Sequence, residues 1–69
     1  MQVRLDNRWS EKLARMPESG MGYQRVRVRL KAGRTIENAL VFNGRILEVA
    51  REEPAFQAAD IDEIELETQ

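Results

Sequence analysis

Between Tyr23 and Leu30 the chain alternates strictly, with Val26, Val28 and Leu30 at every second position and Arg25, Arg27 and Arg29 between them. Successive side chains of a strand point to opposite faces, so a period of two predicts a half-buried strand with one apolar and one cationic face. Lys31-Ala32-Gly33-Arg34 closes it as a turn. Thr35 to Phe42 predicts a second strand, with Ile36, Leu40 and Phe42 on one face and Ala39 and Val41 on the other. Apolar residues on both faces fit a central strand or one bending through a barrel corner, and Asn38 marks a candidate bulge. Asn43-Gly44 predicts a two-residue type I′ hairpin, because both residues tolerate the positive φ that this turn demands. Arg45 to Ala50 follows as a third strand, with Leu47 and Val49 on one side and Ile46 and Ala50 on the other. Pro54, in Arg51-Glu52-Glu53-Pro54-Ala55, lacks the N–H a central strand needs and ends it. Ile64 and Leu66, alternating with Glu63, Glu65 and Glu67, predict a last strand.

Outside these segments the period changes. Ser10 reads as an N-cap before Glu11 to Met16, with Trp9, Leu13 and Met16 spaced to share a helical face, and Pro17 stops the helix. Val3 and Leu5 alternate with Gln2 and Arg4 in a short edge strand over Met1 to Leu5. Pro17 to Gly22 holds Ser-Gly and two glycines with no periodicity, which predicts a loop. Phe56 to Ile61 predicts one helical or 3₁₀ turn burying Phe56 and Ala59.

The order of these parts is that of a mainly β fold. A small SH3-like or Sm-like antiparallel barrel with a short N-terminal helix is the expected architecture, and the alternative is an open antiparallel sheet with one packed helix. In such a barrel the last strand lies beside the first of the meander, setting Arg25, Arg27 and Arg29 against Glu63, Glu65 and Glu67. Arg45 to Ala50 is then an uncovered edge to which a second copy can pair.

Length and composition narrow this further. With 69 residues there is one domain, 1-69, because so short a chain cannot divide its apolar side chains between two cores. Residues are 42% hydrophobic and 33% charged, a globular balance. No run approaches the roughly 18 apolar residues of a membrane helix, and Met1 to Trp9 lacks the apolar core of a signal peptide, so the expected location is cytoplasmic. Without Cys or His, disulfides and the usual zinc ligand sets are excluded. A net charge of -1 conceals an asymmetry: residues 1 to 34 hold nine Lys or Arg against three Asp or Glu, and residues 35 to 69 hold two against nine. That asymmetry reads either as a nucleic-acid-binding half with an acidic tail or as two halves that pair in the fold.

Arg25, Arg27, Arg29 and Lys31 form a stripe able to follow a nucleic-acid backbone, with Tyr23 the aromatic beside it. Phe42 and Phe56 read as core, and the sequence pI of about 5.4 favours a solvated or self-neutralised face. Asp60, Asp62, Glu63, Glu65 and Glu67 are candidate hard-cation ligands, yet they lack the Gly and spacing of a calcium loop. Ser19 lies among glycines, but there is no His to serve it as a base. Trp9, with Leu13, Met16 and Met21, reads either as a buried helix face or as a partly exposed one that meets a partner. The expectation is a non-enzymatic interaction module that binds a protein or itself, needing no cofactor and no metal. The alternative is a nucleic-acid-binding small barrel using the Arg25, Arg27 and Arg29 face. A ligand-binding or enzymatic domain built around Ser19 to Tyr23 is the third reading.

Pro17-Glu18-Ser19-Gly20-Met21-Gly22-Tyr23-Gln24, followed by Val26-Arg27-Val28-Arg29-Leu30-Lys31-Ala32-Gly33-Arg34, resembles a segment of short bacterial proteins that carry this stretch before a strand of the form V-x-V-x-L-x-x-G-R. The resemblance covers about a quarter of the chain and implies no activity, so no site residue follows from it.

Overall fold

The computed structural model describes residues 1–51 and 55–67. Five strands and one helix run in the order β1 (Gln2–Arg4), α1 (Asn7–Ala14), β2 (Tyr23–Leu30), β3 (Thr35–Phe42), β4 (Ile46–Glu48), a 3₁₀ turn (Ala58–Asp60) and β5 (Ile61–Leu66). The strands form one antiparallel sheet in the order β1-β4-β3-β2-β5. β1 and β5 lie at its two ends, so the sheet is open, and the arrangement is the alternative one of an open sheet with a packed helix. The strand β4 is interior, flanked by β3 and β1. The expected free edge at Arg45 to Ala50 is therefore covered, and β1 takes the outer position.

Cross-strand partners share a face, which divides the sheet cleanly. One face carries Val3, Leu47, Val41, Ala39, Ile36, Val26, Val28, Ile61 and Ile64, all buried, and α1 closes over it with Trp9 and Leu13. The helix begins earlier than its sequence predicts. Asp6 caps it, accepting from the Trp9 N–H at 3.3 Å, and Ser10 lies within the first turns. Its far end is fixed by Gln24, whose amide donates to the carbonyls of Leu13, Met16 and Pro17 at 2.9, 3.2 and 3.3 Å. The Leu13 carbonyl also accepts the Met16 N–H at 3.0 Å, so this buried amide from β2 adds a second donor there, supplies one to the carbonyls of Met16 and Pro17 just past the helix, and latches α1 to the sheet.

Two irregularities reset the faces. The register of β2 and β3 shifts between Val26 and Val28, where Asn38 takes φ 59°. The extra residue puts Ile36, Ala39 and Val41 together on the inner face and sends Leu40 and Phe42 outward. The expected grouping of Ile36 with Leu40 and Phe42 is thereby corrected, and so is the reading of Phe42 as core. Glu67 Oε1 accepts the Asn38 N–H at 2.9 Å, pairing a donor that the bulge takes out of the ladder. A second shift, between Arg29 and Leu30, leaves Asp62 as the extra residue of β5.

Asn43 and Gly44 both have positive φ, 54° and 69°, and the Arg45 N–H donates to the Phe42 carbonyl at 3.0 Å, as a type I′ turn requires. Strand pairing resumes at Phe42 and Ile46, one residue later than in a two-residue hairpin. The carbonyl of Arg45 faces the other way, to the Leu5 N–H at 2.8 Å. Phe56 is half-buried against the core before the 3₁₀ turn, whereas Ala59 is exposed, contrary to expectation. Pro54, the expected break after β4, lies outside the described residues.

Candidate functional site

The outer face of the sheet, opposite α1, collects most of the side chains that the sequence singles out. Along one cross-strand row stand Arg4, Ile46, Phe42 and Tyr23, and along the next Gln2, Glu48, Leu40 and Arg25. Ile46, Leu40 and Tyr23 are half-buried and Phe42 is 37% exposed, with no element of the described chain laid over them. The Tyr23 and Phe42 rings lie 6.4 Å apart at 48°, within the range of aromatic pairs.

The loop before β2 builds one wall of this patch. Gly20 and Tyr23 bridge across Met21 and Gly22, and Gly22 at φ 82° supplies the conformation that the turn needs. Met21 stands at its tip, 99% exposed. A Cβ at Gly20 would collide with the Tyr23 ring, so only glycine lets the ring lie across the loop. Ser19 Oγ accepts the Arg25 N–H at 2.8 Å, which ties the loop to the strand and gives this hydroxyl a structural role.

The cationic stripe continues on the same face but is largely answered from within. β2 pairs with β5 as expected, with Arg27 opposite Glu65 and Arg29 opposite Glu63, while Glu67 donates its N–H to the Arg25 carbonyl at 2.9 Å. The side chains choose other partners. Arg29 Nε meets Asp62 Oδ2 at 3.0 Å and Arg27 Nε meets Glu37 Oε1 at 3.9 Å. The Asp62 bulge brings its carboxylate to Arg29, and the Glu63 carboxylate is taken by Lys12 of α1. That hydrogen bond from Lys12 is the main cause holding the Glu63 carboxyl below the usual carboxylate range. Partial burial opposes it, and the Ile64 N–H and the nearby charges of Lys12 and Arg29 add to the lowering. Lys31 is exposed at the turn beyond β2, its N–H donating to the Asp60 carbonyl at 2.9 Å.

Of the candidate residues, Tyr23, Arg25, Arg27 and Arg29 therefore share the outer face, and Lys31 lies beyond the strand's end. Trp9 does not join them. It is 5% exposed on the inner side, with the Arg8 guanidinium carbon 4.5 Å and the Lys12 ammonium 5.6 Å from its ring centroid. Among the described residues no group of His, Cys, Asp or Glu could hold a metal ion, and no helix is long and apolar enough to cross a membrane. Sequence reading did not gather Arg4, Leu40, Phe42 and Ile46 onto this face, and it grouped the exposed Met21 with Trp9 and Leu13 of the inner side. The one signal available was that β3 is apolar on both faces: two apolar sets on one strand leave the set that the helix does not cover facing outward. Comparison of the chain with family models, curated proteins and solved structures finds no match.

Proposed function

We propose that this chain is a non-enzymatic protein-docking domain, and that its docking surface is the outer-face patch of Tyr23, Leu40, Phe42 and Ile46. The observation that carries the reading is Phe42, a large aromatic 37% exposed on a sheet whose opposite face already supplies the core. Aromatic residues, Met and Arg are enriched at the centres of protein interfaces, and here Tyr23, Phe42 and Met21 are bordered by Arg4 and Arg25. Neither of these arginines makes a side-chain ion pair within the described residues, so the complementary partner surface is apolar at its centre and carries carboxylates facing them.

Nucleic acid is the second reading, since an exposed Phe42 beside Tyr23 makes a stacking pair next to arginines. Charge weighs against it. Asp62 and Glu37 occupy Arg29 and Arg27, and Glu63 and Glu65 stand in register with them, so a phosphate backbone tracking the stripe meets carboxylates along its length.

The test is selection of random twelve-residue peptides on the immobilised protein, with mixed-sequence single-stranded RNA titrated in parallel. The reading predicts enriched peptides that combine apolar with acidic residues and lose binding to Phe42→Ser. Binders indifferent to Phe42→Ser, or RNA binding that weakens steeply with salt and disappears in Arg25→Glu, would overturn it.

A further inference from the structure

The sheet has two edges, and they differ in how their main-chain groups are disposed. In an antiparallel ladder every second residue turns its N–H and C=O to the neighbouring strand and the others turn them away. On β5, Glu67 donates to Arg25, so the N–H and C=O of Ile64 and Leu66 turn away from β2 while their side chains stay on the inner face. That edge is closed at its middle: Glu63 Oε1 accepts the Ile64 N–H at 3.0 Å, Lys12 holds the same carboxylate, and Asp62 bulges beside it. A bulge and charged side chains at an edge are the usual means of refusing another strand.

β1 is short, three residues, and carries one charged side chain, Arg4, but among the described residues it has no bulge and no carboxylate bonded to its own main chain. Met1 and Val49 exchange both hydrogen bonds at 3.0 Å, and Leu5 donates to Arg45 at 2.8 Å. The alternation turns Val3 to Leu47 and leaves the N–H and C=O of Gln2 and Arg4 directed away from the sheet. Alongside runs a groove of about 380 Å³, lined by Gln2, Val3 and Arg4 on one side and by Phe56 to Ala59 on the other. Arg4 is exposed and has no ion-pair partner among the described residues.

We infer that this edge takes an extended segment of a partner protein as a sixth strand, recognised by a carboxylate opposite Arg4 with an apolar residue on either side of it. The main-chain groups of Gln2 and Arg4 supply the hydrogen bonds. Because side chains alternate, the residue opposite Arg4 shares the outer face with it, and its neighbours turn toward Val3, Phe56 and Ala58. A second copy of β1 is the poorer occupant, since a two-fold at Val3 sets Gln2 against Arg4 and brings no carboxylate to either arginine. The inference rests on the docking reading and deepens it: Arg4, Ile46, Phe42 and Tyr23 form one row, which the added strand extends.

The experiment uses the acetylated, amidated peptide Thr-Val-Glu-Val-Gln-Thr and its Glu-to-Lys counterpart, titrated into ¹⁵N-labelled protein up to about 1 mM. The glutamate peptide should shift Gln2, Arg4 and Phe56 and slow amide exchange at Gln2 and Arg4. Gln2→Pro removes an N–H that the β1–β4 ladder does not use, so it should weaken binding about tenfold while leaving the thermal midpoint unchanged. Arg4→Glu should transfer the preference to the lysine peptide. No binding, binding that Gln2→Pro leaves intact, or a lowered thermal midpoint in that variant would overturn the inference. Loss on Phe42→Ser with indifference to Gln2→Pro would remove the added strand and leave the docking face standing, and the reverse pattern would keep the strand and withdraw the face.

Discussion

The inner face of the sheet is apolar except for the buried Gln24 and is roofed by α1, while the outer face is divided between a bare apolar half around Phe42 and an ion-paired half around Arg27 and Arg29. Both faces come from the same strands, so the difference lies in what each side chain meets. An apolar residue contributes to stability in proportion to the surface it removes from water. Leu13 and Val41 remove nearly all of theirs, whereas Phe42 keeps over a third exposed. The inner face therefore holds the fold, and the outer face is free to vary for another purpose.

The largest expected contrast comes from truncating one residue of each kind. Leu13→Ala should cost about 2–5 kcal/mol, comparable to the whole stability of a domain this size, roughly 3–10 kcal/mol, and should leave much of the protein unfolded in a thermal melt. Equal tolerance of Leu13→Ala and Phe42→Ser in urea titrations would erase the distinction between the faces. Next comes Gln24→Ala, which takes the side-chain donor from the carbonyls of Met16 and Pro17 and leaves that of Leu13 only the Met16 N–H. Losing these bonds should cost about 1–3 kcal/mol, with faster amide exchange in α1 than in β3 as the sign that the latch, and not the sheet, was loosened.

Smaller effects probe the ion-paired half. Glu65→Lys places like charges directly opposite at Arg27 and should cost about 0.2–1 kcal/mol, a loss that shrinks as salt is added. A substitution without cost would mean that cross-strand charge does not help to set this register. The smallest effect concerns acid. The Glu63 carboxyl is held below its ordinary value of 4.5, so its pairing with Lys12 stabilises the fold above that pH and is lost as the pH falls through the lower folded value. Lys12→Met should remove this part of the acid sensitivity while changing stability near neutrality by no more than about 1 kcal/mol. Unchanged acid unfolding in Lys12→Met would place the origin of the sensitivity elsewhere.

Much of this architecture is legible in the sequence because short-range rules govern it. The alternation of β2 and β5, the turn at Asn43-Gly44 and the bulge at Asn38 all follow from local pattern, while the pairing of β2 with β5 is expected from the strand order of a barrel and is kept in the open sheet. What the sequence hides are the consequences of irregularity. Alternation counted through Asn38 places Ile36 with Phe42, and only the bulge shows that the phase has shifted between them. Asp62 likewise takes Arg29 from Glu63 because an extra residue turns it. Asp6 and Ser10 are both good N-caps, and the choice between them depends on where Trp9 must sit to reach the core. The outer-face site is hidden for a related reason: whether Leu40 and Phe42 are core depends on which face α1 covers, and no local pattern contains that.

The most direct test pairs two readings on a single variant, Phe42→Ser, which changes the outer patch and spares the inner face. Its urea unfolding midpoint and its binding to peptides selected on the parent protein should be measured together. The account predicts a midpoint close to that of the parent and loss of binding. A collapsed midpoint would return Phe42 to the core, and binding retained at full strength would remove the outer patch from any role in docking.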